Sequence, residues 1–203
     1  WTPSSHASMF TGLLPADHGV DGEAQPSFPP GIATLPEVLQ TSGYRTAGFV
    51  ANPNLLAAGW SRGFDSYRTP WIEGPHTLVN LLNRLIGGTQ DPWRTERATP
   101  RTLELARRWW AESEERPRFL FINLLDPHRP YMPPEDMYER LAPTVPISDA
   151  LRVDQDPVTY HLKPGVSARD AALLSALYDG EIAAMDSALG AFLDWLRARG
   201  DLD

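Results

Sequence analysis

The sequence predicts an α/β fold, a three-layer α/β/α sandwich with a mostly parallel central sheet, and three observations carry that expectation. Helix and strand signals alternate along the chain instead of segregating into separate regions. One strand signal, FLFINLL at residues 119–125, is a near-continuous apolar run of the kind a central parallel strand covered on both faces requires. The strongest helix signal lies near the C-terminus, where Leu173, Leu177, Met185, Leu189, Phe192 and Leu196 recur at intervals of three, four or their sum.

Taken in order, residues 5–14 read as a short helix entered from a Ser/Pro turn, with Ser4 or Ser5 placed to cap its free amides. Residues 34–41 form a better-marked helix. Thr34 and Glu37 make a capping box, Leu35, Val38 and Leu39 share a face, and Gly43 supplies the stop. Residues 44–50 have strand composition. Thr99 followed by Pro100 opens a further helix in the order of a cap and then proline, with Leu103, Leu105, Ala106, Trp109 and Trp110 as its apolar content. Residues 168–199 predict one long helix. Two excursions, at about 70–100 and 132–164, are interrupted by prolines and predict long surface loops with short helices, of the kind that wall a substrate pocket.

Composition removes several function classes. The 203 residues, 42% apolar and 22% charged, suit a globular domain with one core. A formal charge of -8 argues against nucleic acid as a partner, because phosphate-backbone binders need a clustered cationic face. The absence of cysteine excludes a disulfide framework and a thiolate zinc site within these residues. No stretch approaches the roughly 20 apolar residues of a membrane span.

Chemistry concentrates in TPSSHASMFTGLLPADHGV, residues 2–20. A hydroxyl at the start of a helix lies in the positive end of the dipole, among unpaired amides that suit an anionic ester. Local sequence alone favours a plainer role for Thr2 and Ser4, as helix caps. The segment nevertheless resembles the sulfatase signature, in which a nucleophile is followed by any residue, Pro or Ala, Ser, Arg, and then Thr-Gly nine residues after the nucleophile. Counting back from Thr11 and Gly12 places Thr2 at the nucleophile, Ser4 at the Pro position, Ser5 at the Ser and His6 at the Arg. A register starting at Ser5 leaves the Thr-Gly pair three residues too near and is rejected.

The resemblance to the sulfatase family, within the alkaline phosphatase superfamily, extends over nearly the whole chain. It implies an alkaline phosphatase-like sandwich, incomplete in this chain, and a partial catalytic domain over residues 1–203. It also implies metal-dependent cleavage of sulfuric or phosphoric esters through a covalent intermediate on Thr2. In the family a divalent cation, calcium, magnesium, manganese or zinc, contacts the nucleophile and lowers its pKa. GYRTAGFVANPNL resembles a strand that in many sulfatases leads to a Lys and a His holding the sulfate; no cation stands at those positions here, and Asn52 is the nearest polar group. Asn52 reads either as a substrate donor or as a turn residue before Pro53. FLFINLLDPHRPYMPP resembles the family loop whose histidine touches the ester oxygen or protonates the leaving group, which points to His128 at the C-terminal end of a strand. The bland alternative is a loop histidine fixed by Asp126 and Pro130. His6 reads as a partner of the nucleophile or bound anion, or as structural; His18 reads as structural. Asp179, Glu181 and Asp186 on the long helix read as capping, ion-pairing or loop-holding groups, not ligands.

Two departures qualify the expected chemistry. Sulfatases typically use a cysteine or serine oxidised to formylglycine, and Thr2 cannot be converted that way. This turns expectation toward phosphate or phosphodiester substrates, or toward a sulfatase-like enzyme with unmodified threonine; a phosphodiesterase, a phosphoryl transferase and a non-catalytic module remain open. The second is extent. Relatives place metal-binding acidic groups on strands before the nucleophile and after the long helix, so an internal fragment is expected, weak in cation binding, inactive alone and poorly stable. A small-molecule or glycan sulfate or phosphate ester is the expected substrate, and many relatives are exported.

Overall fold

A computed structural model describes residues 2–21, 27–70, 98–112, 115–141, 144–156 and 166–202. The chain divides into two compact units, Trp1–Thr77 with Glu104–Leu124, and Leu78–Leu103 with Leu125–Asp203.

The first unit is an α/β layer structure. Its helices are α1 (Thr2–Thr11), α2 (Pro15–His18) and α3 (Leu35–Thr41), joined by the C-terminal part of α4 (Ala98–Ala111). Its strands are β1 (Arg45–Val50), β2 (Ser66–Arg68) and β3 (Arg118–Asn123), in a parallel sheet of order β2-β1-β3. β1 runs in register with β3 from Arg45↔Arg118 to Val50↔Asn123, and with β2 from Ala47↔Ser66 to Phe49↔Arg68.

Alternation along β1 sends successive side chains to opposite faces. On one face Val50 joins a core with Ala7 and Phe10 of α1, Val20, Phe28, Leu55, Trp60 and Phe64, against which Phe119 and Phe121 of β3 pack. On the other, Phe49 meets Trp109 of α4 edge to face and the Arg45 guanidinium lies 4.6 Å from the centre of the Trp109 ring. Helices therefore cover both faces of this sheet, as the predicted α/β/α layering requires.

Two details differ from expectation. The FLFINLL run supplies β3, yet among the described residues β3 lies at the edge, partly buried at every position, while β1 is central and buried from Thr46 to Val50. An apolar run reports that both faces are covered; it says nothing about the number of hydrogen-bonded neighbours. α1 covers Thr2–Thr11 instead of 5–14, so Ser4 and Ser5 lie inside it and do not cap it. Their hydroxyls donate to Val20 O at 2.8 Å and Thr2 O at 3.1 Å. Pro3 is tolerated because a first-turn residue has no intrahelical N–H bond to lose. The third helix matches closely: Glu37 Oε2 accepts from both Thr34 N–H and Thr34 Oγ1 at 2.9 Å, and Gly43 takes φ +87° just past the end.

In the second unit, α5 (Glu135–Glu139), α6 (Ile147–Ala150) and α7 (Ala168–Ala198) enclose a separate core. Tyr138, Ala150, Leu173 and Leu177 are its buried members. Ser167 caps α7 by accepting from Asp170 N–H at 3.0 Å. The excursion at 132–164 does contain short helices in its described part, and the prolines open them: Pro134 and Pro146 are the N-cap residues of α5 and α6. Glu181, 7% exposed on α7, accepts the Met132 N–H at 2.6 Å, the loop-holding role expected of it; Asp179 and Asp186 are exposed. Most of the excursion at 70–100, with His76, and also His161, lie outside the described residues. No helix among the described residues is long and apolar enough to cross a membrane.

Candidate active site

The predicted nucleophile stands where the fold concentrates binding groups, at the C-terminal edge of the parallel strands. Thr2 is in the first turn of α1, which has ten residues and no acidic side chain in that turn to oppose an anion. The helix is held there by apolar and polar contacts. Phe10 packs against Phe121, Phe64 and Trp60. Ser8 Oγ accepts from the His18 ring at 3.0 Å, and Val20 N–H donates to His18 Nδ1 at 3.0 Å. His18 is 1% exposed, with both ring nitrogens spent on the chain, as a structural residue should be.

Asn52 follows β1 by two residues and serves as N-cap of a 3₁₀ turn, Pro53–Leu55. Its Oδ1 accepts from Asn54 N–H at 2.9 Å, which turns Nδ2 toward Thr2 Oγ1 at 3.5 Å. The turn-residue and donor readings of Asn52 are thus compatible in one side chain. Tyr67 steadies the same turn from β2, its hydroxyl donating to Leu55 O at 2.9 Å; burial pushes that phenol's pKa up and keeps it a donor.

His6, one helical turn beyond Thr2, bonds the backbone of Thr2 and not its hydroxyl: Nδ1 lies 2.8 Å from Thr2 O. A carbonyl only accepts, so Nδ1 carries the proton. Nε2 lies 3.2 Å from Asn123 Nδ2, and the Phe121 ring meets the imidazole edge-on. Burial lowers the pKa of His6 below its ordinary 6.5, and the bond to Thr2 O offsets part of that effect. His6 is accordingly a neutral imidazole near pH 7.

Sequence reasoning missed Asn123, the last residue of β3. Its backbone oxygen accepts from Ala51 N–H at 2.9 Å and its Oδ1 from Asn52 N–H at 3.1 Å. Asparagine inside an apolar strand run was the available signal, because a polar amide on a covered face needs partners.

Thr2, His6 and Asn52 are therefore brought together with Asn123 in the first unit. His128 belongs to the second unit, on the exposed loop after β3, with its Nδ1 donating to Arg129 O at 2.8 Å. Asp126 of that loop accepts from Thr99 N–H at 3.3 Å through Oδ2, instead of holding His128. Among the described residues no group of three His, Asp or Glu side chains could hold a metal ion. The side chain facing Thr2 Oγ1 offers an amide donor, which a cation would repel. The described residues alone therefore do not fit a divalent cation at Thr2.

The Sulfatase family model matches residues 2–203. No curated protein matches the sequence. Three solved structures share the fold: BT4656 in complex with its substrate D-glucosamine-2-N,6-O-disulfate (17% identity, TM-score 0.65, 100% of this chain and 54% of that chain); the phosphonate monoester hydrolase of Agrobacterium radiobacter (17%, 0.65, 98% and 50%); and Ps i-CgsB in complex with k-i-k-neocarrahexaose (15%, 0.57, 98% and 45%). The chain spans about half the length of each. With a family match over residues 2–203 and an α/β fold shared with these solved structures, the chain belongs to the sulfatase family.

Proposed function

We propose that this chain carries the nucleophile of an enzyme that cleaves sulfuric or phosphoric esters, with Thr2 Oγ1 as the attacking atom. The observation that carries the reading is the placement of that hydroxyl: first turn of a ten-residue helix, C-terminal edge of a parallel sheet, and the Asn52 amide turned toward it. In the first step the Thr2 oxygen forms a bond to sulfur or phosphorus, the bond to the leaving oxygen breaks, and the hydroxyl proton is lost to solvent. The α1 amides and Asn52 Nδ2 stabilise the charge on the non-bridging oxygens. His128 donates a proton to the leaving oxygen from Nε2, while its Nδ1–H remains on Arg129 O. Water then attacks the sulfur or phosphorus of the threonine ester, restoring the hydroxyl and releasing the anion.

Divalent-cation dependence, general in the family, would have to draw on acidic ligands other than the described residues. A bound cation would supply charge neutralisation of the ester and of the nucleophile. The substrate class we propose is a small-molecule or glycan ester, because relatives of this fold include one solved with a disulfated glucosamine and one named for phosphonate esters. A phosphodiesterase or phosphoryl transferase is the second reading. It is favoured by Thr2 itself, which cannot supply the formylglycine hydrate that expels sulfate, whereas a threonine phosphate is open to water or an acceptor alcohol.

The test is turnover of aryl sulfate, aryl phosphate and aryl phosphodiester by the intact protein, with and without chelator, in wild type and Thr2→Ala. Loss of at least about 10³-fold in the variant is expected for removal of a nucleophile. Unchanged turnover in Thr2→Ala would remove the assignment. Inertness of the wild type toward all three esters would favour a non-catalytic module.

A further inference from the structure

We infer that Asn123 is a positioning residue for the reaction proposed above: its side-chain amide ties the ends of β1 and β3 to α1 and so sets where the Thr2 hydroxyl stands. The inference rests on the Thr2 reading for its catalytic consequence, though not for its geometry.

Two groups here have hydrogen-bond roles that cannot change. Asn52 N–H can only donate, so the Asn123 atom 3.1 Å from it must be Oδ1. That orients the amide and puts Nδ2 against His6 Nε2 at 3.2 Å. An NH₂ group can only donate, so His6 Nε2 must present its lone pair and Nδ1 must hold the proton. At the far side of the ring, Nδ1 lies 2.8 Å from Thr2 O, an obligate acceptor. The chain of roles begins at a backbone N–H, ends at a backbone carbonyl and contains no conflict.

The links join segments that sequence keeps far apart: Asn123 lies 71 residues from Asn52 and 117 from His6. The Asn52 link anchors the backbone of the residue whose Nδ2 faces Thr2 Oγ1; the His6 link anchors the backbone of Thr2 itself. One amide thus restrains both members of the Thr2–Asn52 pair. An aspartate of the same size at this position would still accept from Asn52 N–H, but it would face His6 Nε2 with an acceptor and favour a proton there as well as on Nδ1, which Thr2 O still holds. Leucine would keep the strand and end both links.

The test reads histidine ring nitrogens by ¹⁵N NMR in the intact protein, with kcat and KM on the aryl ester it turns over. For wild type, His6 protonated at Nδ1 and bare at Nε2 is expected. Asn123→Leu should leave the Nδ1 proton on Thr2 O but shift the Nε2 signal as that nitrogen loses its hydrogen bond, and lower kcat about 10²-fold with little change in KM, as for a reacting group displaced by about an ångström. Asn123→Asp should add a proton at Nε2 while Nδ1 keeps its own, and it carries the test if the leucine variant fails to fold. Wild-type His6 protonated at Nε2, or ring signals and kcat unchanged in both variants, would overturn the inference. Failure of the Thr2 reading is separately visible: Thr2→Ala would then keep its turnover, while the His6 tautomer still reports on Asn123.

Discussion

Asn52 divides its side chain between two jobs: Oδ1 holds Asn54 N–H at 2.9 Å, and Nδ2 is aimed at Thr2 Oγ1 from 3.5 Å. The cap fixes the amide's orientation, and the orientation supplies the donor. This coupling lets structural and chemical contributions be separated by substitution.

Asn52→Ala should lose both jobs, lowering stability by about 1 kcal/mol, as for a lost cap, and kcat by about 10²–10³-fold, as for a lost donor to developing negative charge. Asn52→Asp keeps the acceptor for Asn54 and should retain most of the stability, yet lose as much turnover, since a carboxylate would repel the ester. Urea denaturation beside steady-state kinetics makes the comparison. Full kcat in the aspartate variant would remove Asn52 from the chemistry.

His6 makes stability depend on pH. Its pKa in the folded protein lies below 6.5, chiefly through burial, so as pH falls past 6.5 an unfolded chain takes up a proton that the folded one resists. The folded state is therefore unpenalised above that value and loses stability as pH falls from it toward the folded pKa. His6→Gln should flatten this part of the profile. Urea midpoints between about pH 5 and 7.5 check it, with the ordinary histidine range setting the window; parallel profiles for the two proteins would show that His6 is not the group responsible.

The sequence was informative where the deciding contacts are local. Thr34, Glu37 and Gly43 mark α3 because the cap and stop lie within one helix, and the period of α7 shows because its buried face repeats along a single element. The centre of the sheet was misjudged because strand order is a property of pairs: β1, with the less continuous apolar run, gained two neighbours. α5 and α6 were obscured because prolines that break a helix in its interior also open one at its start, and the difference depends on which side the chain coils. Thr2, His6 and Asn52 were named as candidates through spacing and resemblance and do lie together, whereas Asn123 left one local signal, an amide in an apolar run, and its links are to partners distant in sequence.

Gly63 tests the packing that seats α3 beside β1. It adopts φ +75°, and a Cβ there would lie 2.1 Å from Glu37 N and 2.4 Å from Pro36 C. Both obstacles are backbone, which cannot rotate away. The Gly63 carbonyl also accepts the Thr46 hydroxyl at 2.7 Å, so a shift of this turn pulls on buried β1. Gly63→Ala should cost at least about 3 kcal/mol, combining left-handed strain with a steric clash, and thermal unfolding would show a correspondingly lower Tm. Wild-type Tm in this variant would mean that the close approach of the turn to α3 is wrong.

Leaving-group dependence tests His128 without relying on a single rate. If its imidazolium protonates the departing oxygen, the benefit is greatest where that oxygen is a poor leaving group and small where it departs readily as an anion. His128→Asn should therefore reduce kcat by about 10²–10⁴-fold on an alkyl ester and by much less on an activated aryl ester of the same acid. The Nδ1 bond to Arg129 O bears on the choice of variant: asparagine can place its NH₂ near that carbonyl and keep the loop contact while removing the Nε2 proton. Equal losses on both esters would point to binding or loop structure, and no loss on either would return His128 to the role of an ordinary loop histidine.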